Sequence, residues 1–126
     1  MPRSTLDFQA VHPAVQQQVA TFHASTVQEV QTAVASHAVV VVGMRQNPFP
    51  RKARQLLDQL GTPYHYLEYG SYLSGWKPRL ALKMWSGWPT LPMVFVHGTL
   101  VGGAQELGQL IASGAFATLL AAGRPA

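Results

Sequence analysis

An α/β fold, a four-stranded mixed sheet with helices on both faces, is what this chain predicts, and three stretches predict it. Ala38 to Gly43 contains four consecutive valines, a β-branched run of strand length without polar alternation, as expected of a strand covered on both faces. Two strand-turn-helix units then follow one another from that run to Trp85, and strands joined through a helix pair in parallel. Met93 to His97 and Thr99 to Val101 flank His97-Gly98, a tight-turn dipeptide that makes the last pair antiparallel.

The elements can be justified in order. Pro13 opens a short helix reaching Ala20, because proline fits the first helical turn, where its missing N–H costs nothing. Ser25 and Gln28 have the spacing of a capping box, and Val27, Val30 and Val34 give the following helix an apolar stripe as far as Ser36. After the valine strand, Asn47 is a strong helix cap with Pro48 at the first position, and Gly61 suits the C-terminal stop after Leu60. Tyr64 to Glu68 reads as the second strand and Ser74 to Trp85 as a helix carrying Arg79 and Lys83 four residues apart. Gly102-Gly103 opens a helix from Ala104 to Ile111, and Ala115 to Ala121 adds an apolar one.

The 126 residues suffice for one core. The reading divides them into an N-terminal extension, residues 1–25, and a folded domain, residues 26–126. With 48% hydrophobic and 11% charged residues, the composition is far from the signature of disorder. The net charge is +4, and seven of nine cationic residues fall between Arg45 and Lys83. A concentrated positive field without a long Lys/Arg run favours a small anionic ligand over nucleic acid, with a solvated basic face as the alternative. Cysteine is absent, which excludes disulfides, thiolate nucleophiles and cysteine-ligated clusters. The five histidines show no ligand spacing, so no metal site is expected. No stretch is long and apolar enough for a signal core or a membrane span, and a cytoplasmic location is the default expectation.

From about Arg79 to Leu107 the motifs become specific. A helix bearing Arg79 and Lys83 leads into Trp88-Pro89-Thr90-Leu91-Pro92, then the hairpin, then Gly102-Gly103-Ala104-Gln105. This resembles the glutaredoxins, monothiol glutaredoxins in particular, and the likeness extends over roughly residues 26 to 120. The resemblance implies the thioredoxin fold and a glutathione-type pocket. Asn47-Pro48-Phe49-Pro50 aligns with the family's catalytic turn, Asn47 standing at the reactive cysteine and Pro50 at the second one, while Ala104 replaces the cysteine of Gly-Gly-Cys-Asp. Thiol-disulfide exchange requires a thiolate, and a two-iron two-sulfur centre is normally held by cysteines. Neither family chemistry is expected here, and no catalytic residue is assigned.

What the resemblance leaves is the pocket. Arg79 and Lys83 would supply cations, with Arg79 at the glycine carboxylate, and Arg45 would take the place of the family's pocket lysine. Phe49 would border the ligand. Thr90 and Leu91 would present backbone like an added strand, held by a cis bond to Pro92. Gly102, Gly103 and Ala104 would receive the γ-glutamyl carboxylate at a helix start, and Gln105 stands where an acid would meet the ammonium. The expected function is a redox-inactive binding module for glutathione or a similar small anionic peptide-like ligand, with no bound cofactor, or for a protein partner on the same surface. Tyr69, Tyr72 and Trp76 are candidates for such a partner patch. A glutathione transferase-type enzyme is the alternative, in which Thr90, Tyr72 or Asn47 would activate the ligand's own thiol.

Overall fold

Strand β1 (Val39–Gly43) lies inside the sheet of the computed structural model, which describes residues 3–71 and 73–124. The sheet order is β2-β1-β3-β4, with β2 spanning His65–Glu68, β3 Met93–Val96 and β4 Thr99–Gly102. β1 pairs in parallel with β2 and antiparallel with β3, and β3 antiparallel with β4, so the sheet is mixed as expected. His97 and Gly98 both take positive φ, 48° and 84°, which lets a two-residue turn follow the twist of its strands.

The described residues form six α-helices: α1 (Pro13–Thr21), α2 (Ala24–Ser36), α3 (Pro48–Leu60), α4 (Trp76–Ser86), α5 (Ala104–Ser113) and α6 (Ala115–Ala122), of which α2 and α4 cover one face of the sheet and α3, α5 and α6 the other. The valine run divides between two cores by strand alternation. Val40 and Val42 join Val30, Leu82, Met93 and Phe95 beneath α2 and α4. Val39 and Val41 join Leu57, Val94, Leu107 and Phe116 beneath α3, α5 and α6. Leu57, Leu82 and Leu107 have no exposed surface, each worth roughly 1.5–3 kcal/mol of apolar burial. No helix among the described residues is long and apolar enough to cross a membrane.

Three local expectations are corrected. Helix α2 begins at Ala24 behind His23, a left-handed residue that makes no side-chain cap, so Ser25 and Gln28 do not form a capping box. The N–H groups of Thr26 and Val27 already bond the His23 carbonyl, which puts Ser25 inside the first turn. The boundary after residue 25 therefore falls within that turn. Helix α4 starts at Trp76 and not Ser74, because Ser71 and Ser74 pair across a small loop whose Ser74 carbonyl holds Arg79. Arg79 is accordingly buried, not a solvated helix charge.

Two tyrosines couple the fold to pH. Tyr69 donates its hydroxyl to Glu29 of α2; burial first, and the neighbouring carboxylate second, push its ionisation above the ordinary tyrosine range. Tyr66 is raised to about 12 by burial and by its hydrogen bond to Glu68. A phenol whose folded pKa exceeds its unfolded value favours the neutral form, so its stabilisation is intact below about pH 10 and declines above it. We expect chemical-denaturation stability to fall between about pH 10 and 12, with Tyr66 and Tyr69 ionising later than tyrosine in the unfolded chain. Tyr69→Phe should flatten that decline; an unchanged slope would refute the coupling.

Candidate functional site

The topology gathers the expected site residues at one end of the sheet. β1 and its parallel neighbour β2 both finish there, and antiparallel pairing brings the beginning of β3 and the end of β4 to the same end, since Met93 lies opposite Val42 and Gly102 opposite Val94. The N-termini of α3, α4 and α5 follow directly from loops on this end. Helix starts carry partial positive charge and free N–H donors, so this end suits an anion even before side chains are counted.

At α3, the Asn47 side chain accepts the Phe49 N–H at 2.9 Å, with Pro48 at the first helical position. The cap predicted from Asn-Pro is therefore in place, at the position where the resemblance implies a reactive cysteine. An amide held in this way is neither a nucleophile nor a base. Phe49 beside it is exposed, while Pro50 packs inward.

The Leu91–Pro92 peptide bond is cis. Leu91 and Pro92 are buried and Thr90 is exposed. Gly103 approaches this segment so closely that a Cβ there would meet the Pro92 carbonyl at 3.4 Å and Trp88 Nε1 at 3.8 Å. Trp88 Nε1 is itself buried without a hydrogen-bond partner in the structure. Gly102 has φ +106°, and a side chain there would strike Glu106 at 2.7 Å. Glu106 folds back so that its Oε1 accepts the Gly103 N–H at 2.9 Å, while Ala104 is buried and Gln105 exposed.

The cations separate into two environments. Arg79 donates from Nη1 to the carbonyls of Tyr69 at 3.0 Å and Ser74 at 2.7 Å, which ties the loop between β2 and α4 to its own helix. Lys83 is half-buried one turn farther along α4, about 6 Å of helix axis from Arg79. Arg45 is exposed on the loop after β1, whose backbone is bonded to the Gly70 carbonyl. Asn47, Phe49, Leu91, Pro92, Gly102, Gly103 and Ala104 thus converge at one end of the sheet, Arg45 and Arg79 border it, and Lys83 follows Arg79 by one turn of α4. Trp76 is exposed, Tyr69 is engaged with Glu29, and Tyr72 falls outside the described residues.

Sequence reasoning missed a second feature on the flank of α3. A cavity of about 350 Å³ is lined by Arg45, Gln46, Arg51, Arg54, Tyr66 and Glu68 among others. The signal was present in Arg51 and Arg54, three apart on one helix, but nothing marked Tyr66 as the ring beneath Arg54.

Comparison with known proteins bears on the fold. The family model for glutaredoxin matches residues 39–101. A glutaredoxin-like protein of Dictyostelium discoideum is 46% identical over 85 residues, 68% of this chain and 69% of that one. A monothiol glutaredoxin of Synechocystis is 34% identical over 77 residues, 61% of this chain and 69% of its own. Among solved structures, a buckwheat glutaredoxin crystallised as a glutathione complex superposes with a TM-score of 0.71 at 27% identity, covering 80% of this chain and 92% of that one. The arrangement is the thioredoxin fold, with helices α1 and α2 preceding the segment the family model matches.

Proposed function

Since this chain belongs to the glutaredoxin family and contains no cysteine, we propose that it is a binding module that uses the family's groove without thiol chemistry. Its ligand is glutathione or a similar small anionic peptide-like molecule, held non-covalently, with a protein partner as the other occupant of the same surface. The observation that carries this reading is the convergence of the cis Leu91–Pro92 segment on Gly102 and Gly103 beside an α3 turn whose cysteine position is Asn47. Retention of the groove beside loss of the nucleophile fits recognition, not turnover. The buckwheat relative was solved with glutathione, which supports the choice of ligand. A cytoplasmic location belongs to the same proposal.

The roles follow from the chemistry present. The Leu91 backbone, held before the cis bond to Pro92, can pair with a peptide ligand like an added strand. The α5 start offers N–H donors to a carboxylate, and Arg45 supplies a mobile cation at the other side. Arg79 contributes through the loop it holds as well as through its charge. The test is an amide-resolved NMR titration with reduced glutathione. Saturable shifts should cluster at Arg45, Leu91, Gly103 and Gln105. No shifts up to about 10 mM, where binding is worth less than about 3 kcal/mol, would remove glutathione as ligand.

A further inference from the structure

We propose a second anion site, distinct from the glutathione groove, on the β2 flank of α3, built by Arg45, Arg51 and Arg54 to take a phosphomonoester. The sheet order separates the two sites. β2 and β3 lie on opposite sides of β1, and α3 packs over β1 against α5. The groove at Pro92 and Gly103 is therefore on one side of α3, and the arginine cavity of about 350 Å³ is on the other. Arg45, at the loop tip, and Asn47, at the α3 cap, border both.

The charge balance selects the ligand. Three guanidiniums and Glu68 line the cavity, leaving an excess of two positive charges. Tyr66 donates its hydroxyl to Glu68 at 3.1 Å, which gives that carboxylate a partner other than the arginines. A monocarboxylate would neutralise half of the excess, whereas a phosphomonoester carries close to two negative charges at pH 7 and offers three acceptor oxygens to the planar forks of arginine. Arg54 is already positioned for this, because its guanidinium carbon sits 4.2 Å over the Tyr66 ring and its Nε is buried without a hydrogen-bond partner in the structure. A guanidinium stacked on a ring has lost much of its freedom before a ligand arrives. Gln46 completes the mouth with φ +64°, a conformation uncommon outside glycine.

The experiment is an NMR titration of the isotope-labelled protein at fixed ionic strength with phenyl phosphate, benzoate and a neutral pentapeptide containing one phosphoserine. Phenyl phosphate should give saturable shifts at Gln46, Arg51, Arg54 and Tyr66, at least about tenfold tighter than benzoate, the ratio expected when a second charge is matched. Arg51→Gln and Arg54→Gln should each weaken it about tenfold, and reduced glutathione added to the same sample should still move Leu91 and Gly103. Tighter binding of phenyl phosphate than of the phosphopeptide assigns a free metabolite; the reverse assigns a phosphorylated protein. Linear, unsaturated shifts, equal affinity for benzoate, or indifference to both substitutions would overturn the site. Arg51 is exposed on α3, so Arg51→Gln keeps the test available should Arg54→Gln unfold. Failure here with glutathione still bound leaves the groove reading intact.

Discussion

Asn47→Cys is expected to turn the purified protein from one with no activity on the mixed disulfide of glutathione and a small thiol into one that reduces it. The scaffold needed by a thiolate is already built, since position 47 sits at the start of α3 and its side chain already accepts the Phe49 N–H at 2.9 Å. A cysteine at a helix N-terminus has a pKa lowered from about 8.5 to between about 3.5 and 7.5. At pH 7 its thiolate fraction therefore rises from a few per cent to about a quarter or more. The gain over a free thiol is about tenfold in thiolate population, partly offset because a less basic thiolate is a weaker nucleophile. Losing the amide cap costs about 1 kcal/mol, small enough for the fold to survive. The measurements are a glutathione-coupled reduction assay and the pH dependence of alkylation. A folded variant with a thiol pKa near 8.5 and no turnover would show that the turn no longer supports family chemistry. Turnover by the unsubstituted protein would overturn the binding-module reading itself.

Arg79→Leu should cost about 3–5 kcal/mol, the sum of two charge-assisted hydrogen bonds to carbonyls left without their donor. In a chain of this size the melting temperature should fall by roughly 10–20 °C. The guanidinium is the centre of a closed loop, with Nη1 bonded to Tyr69 and Ser74 carbonyls on either side of Gly70. Gly70→Ala tests the same loop from the opposite side. With φ +68°, an added Cβ would lie 2.3 Å from the Ser74 carbonyl oxygen and 2.7 Å from Arg79 Nη1, so the backbone must move. If thermal melts show both variants within about 2 °C of the parent, Arg79 is not structural and its charge is free for a ligand. A large loss in both would mean that its effect on glutathione binding is exerted through the loop.

The sheet was legible because its signals are local and redundant. Four valines without alternation imply a doubly covered strand, Asn47-Pro48 implies a helix start, and His97-Gly98 implies a two-residue turn; each holds in the structure. The cis bond at Pro92 and the meeting of Gly102-Gly103 with it followed from resemblance, because nothing in those residues alone states that segments ten apart will touch. What stayed hidden depends on long-range partners. Arg79 and Lys83 share a helical spacing, yet one is buried in a carbonyl cage and the other is not, a difference set by how the preceding loop closes. Ser25 and Gln28 have capping spacing, but the helix had already started behind His23, two residues earlier. The arginine cavity needs Tyr66 from β2 beneath Arg54 of α3, a juxtaposition created by strand pairing and absent from the sequence order.

The internal bond from Gly103 to Glu106 changes what the α5 start can discriminate. An incoming carboxylate competes with one that the chain supplies itself, and it arrives beside a like charge. A plain acid meets that repulsion in full. An amino-acid end carries its own ammonium, which Glu106 can receive while the carboxylate turns to the remaining N–H donors of Ala104 and Gln105. If the groove takes a glutathione-type ligand as proposed, Glu106, with a neutral Gln105 in the neighbouring position, would be the acid that meets the ammonium, and the helix start would favour zwitterions over simple anions.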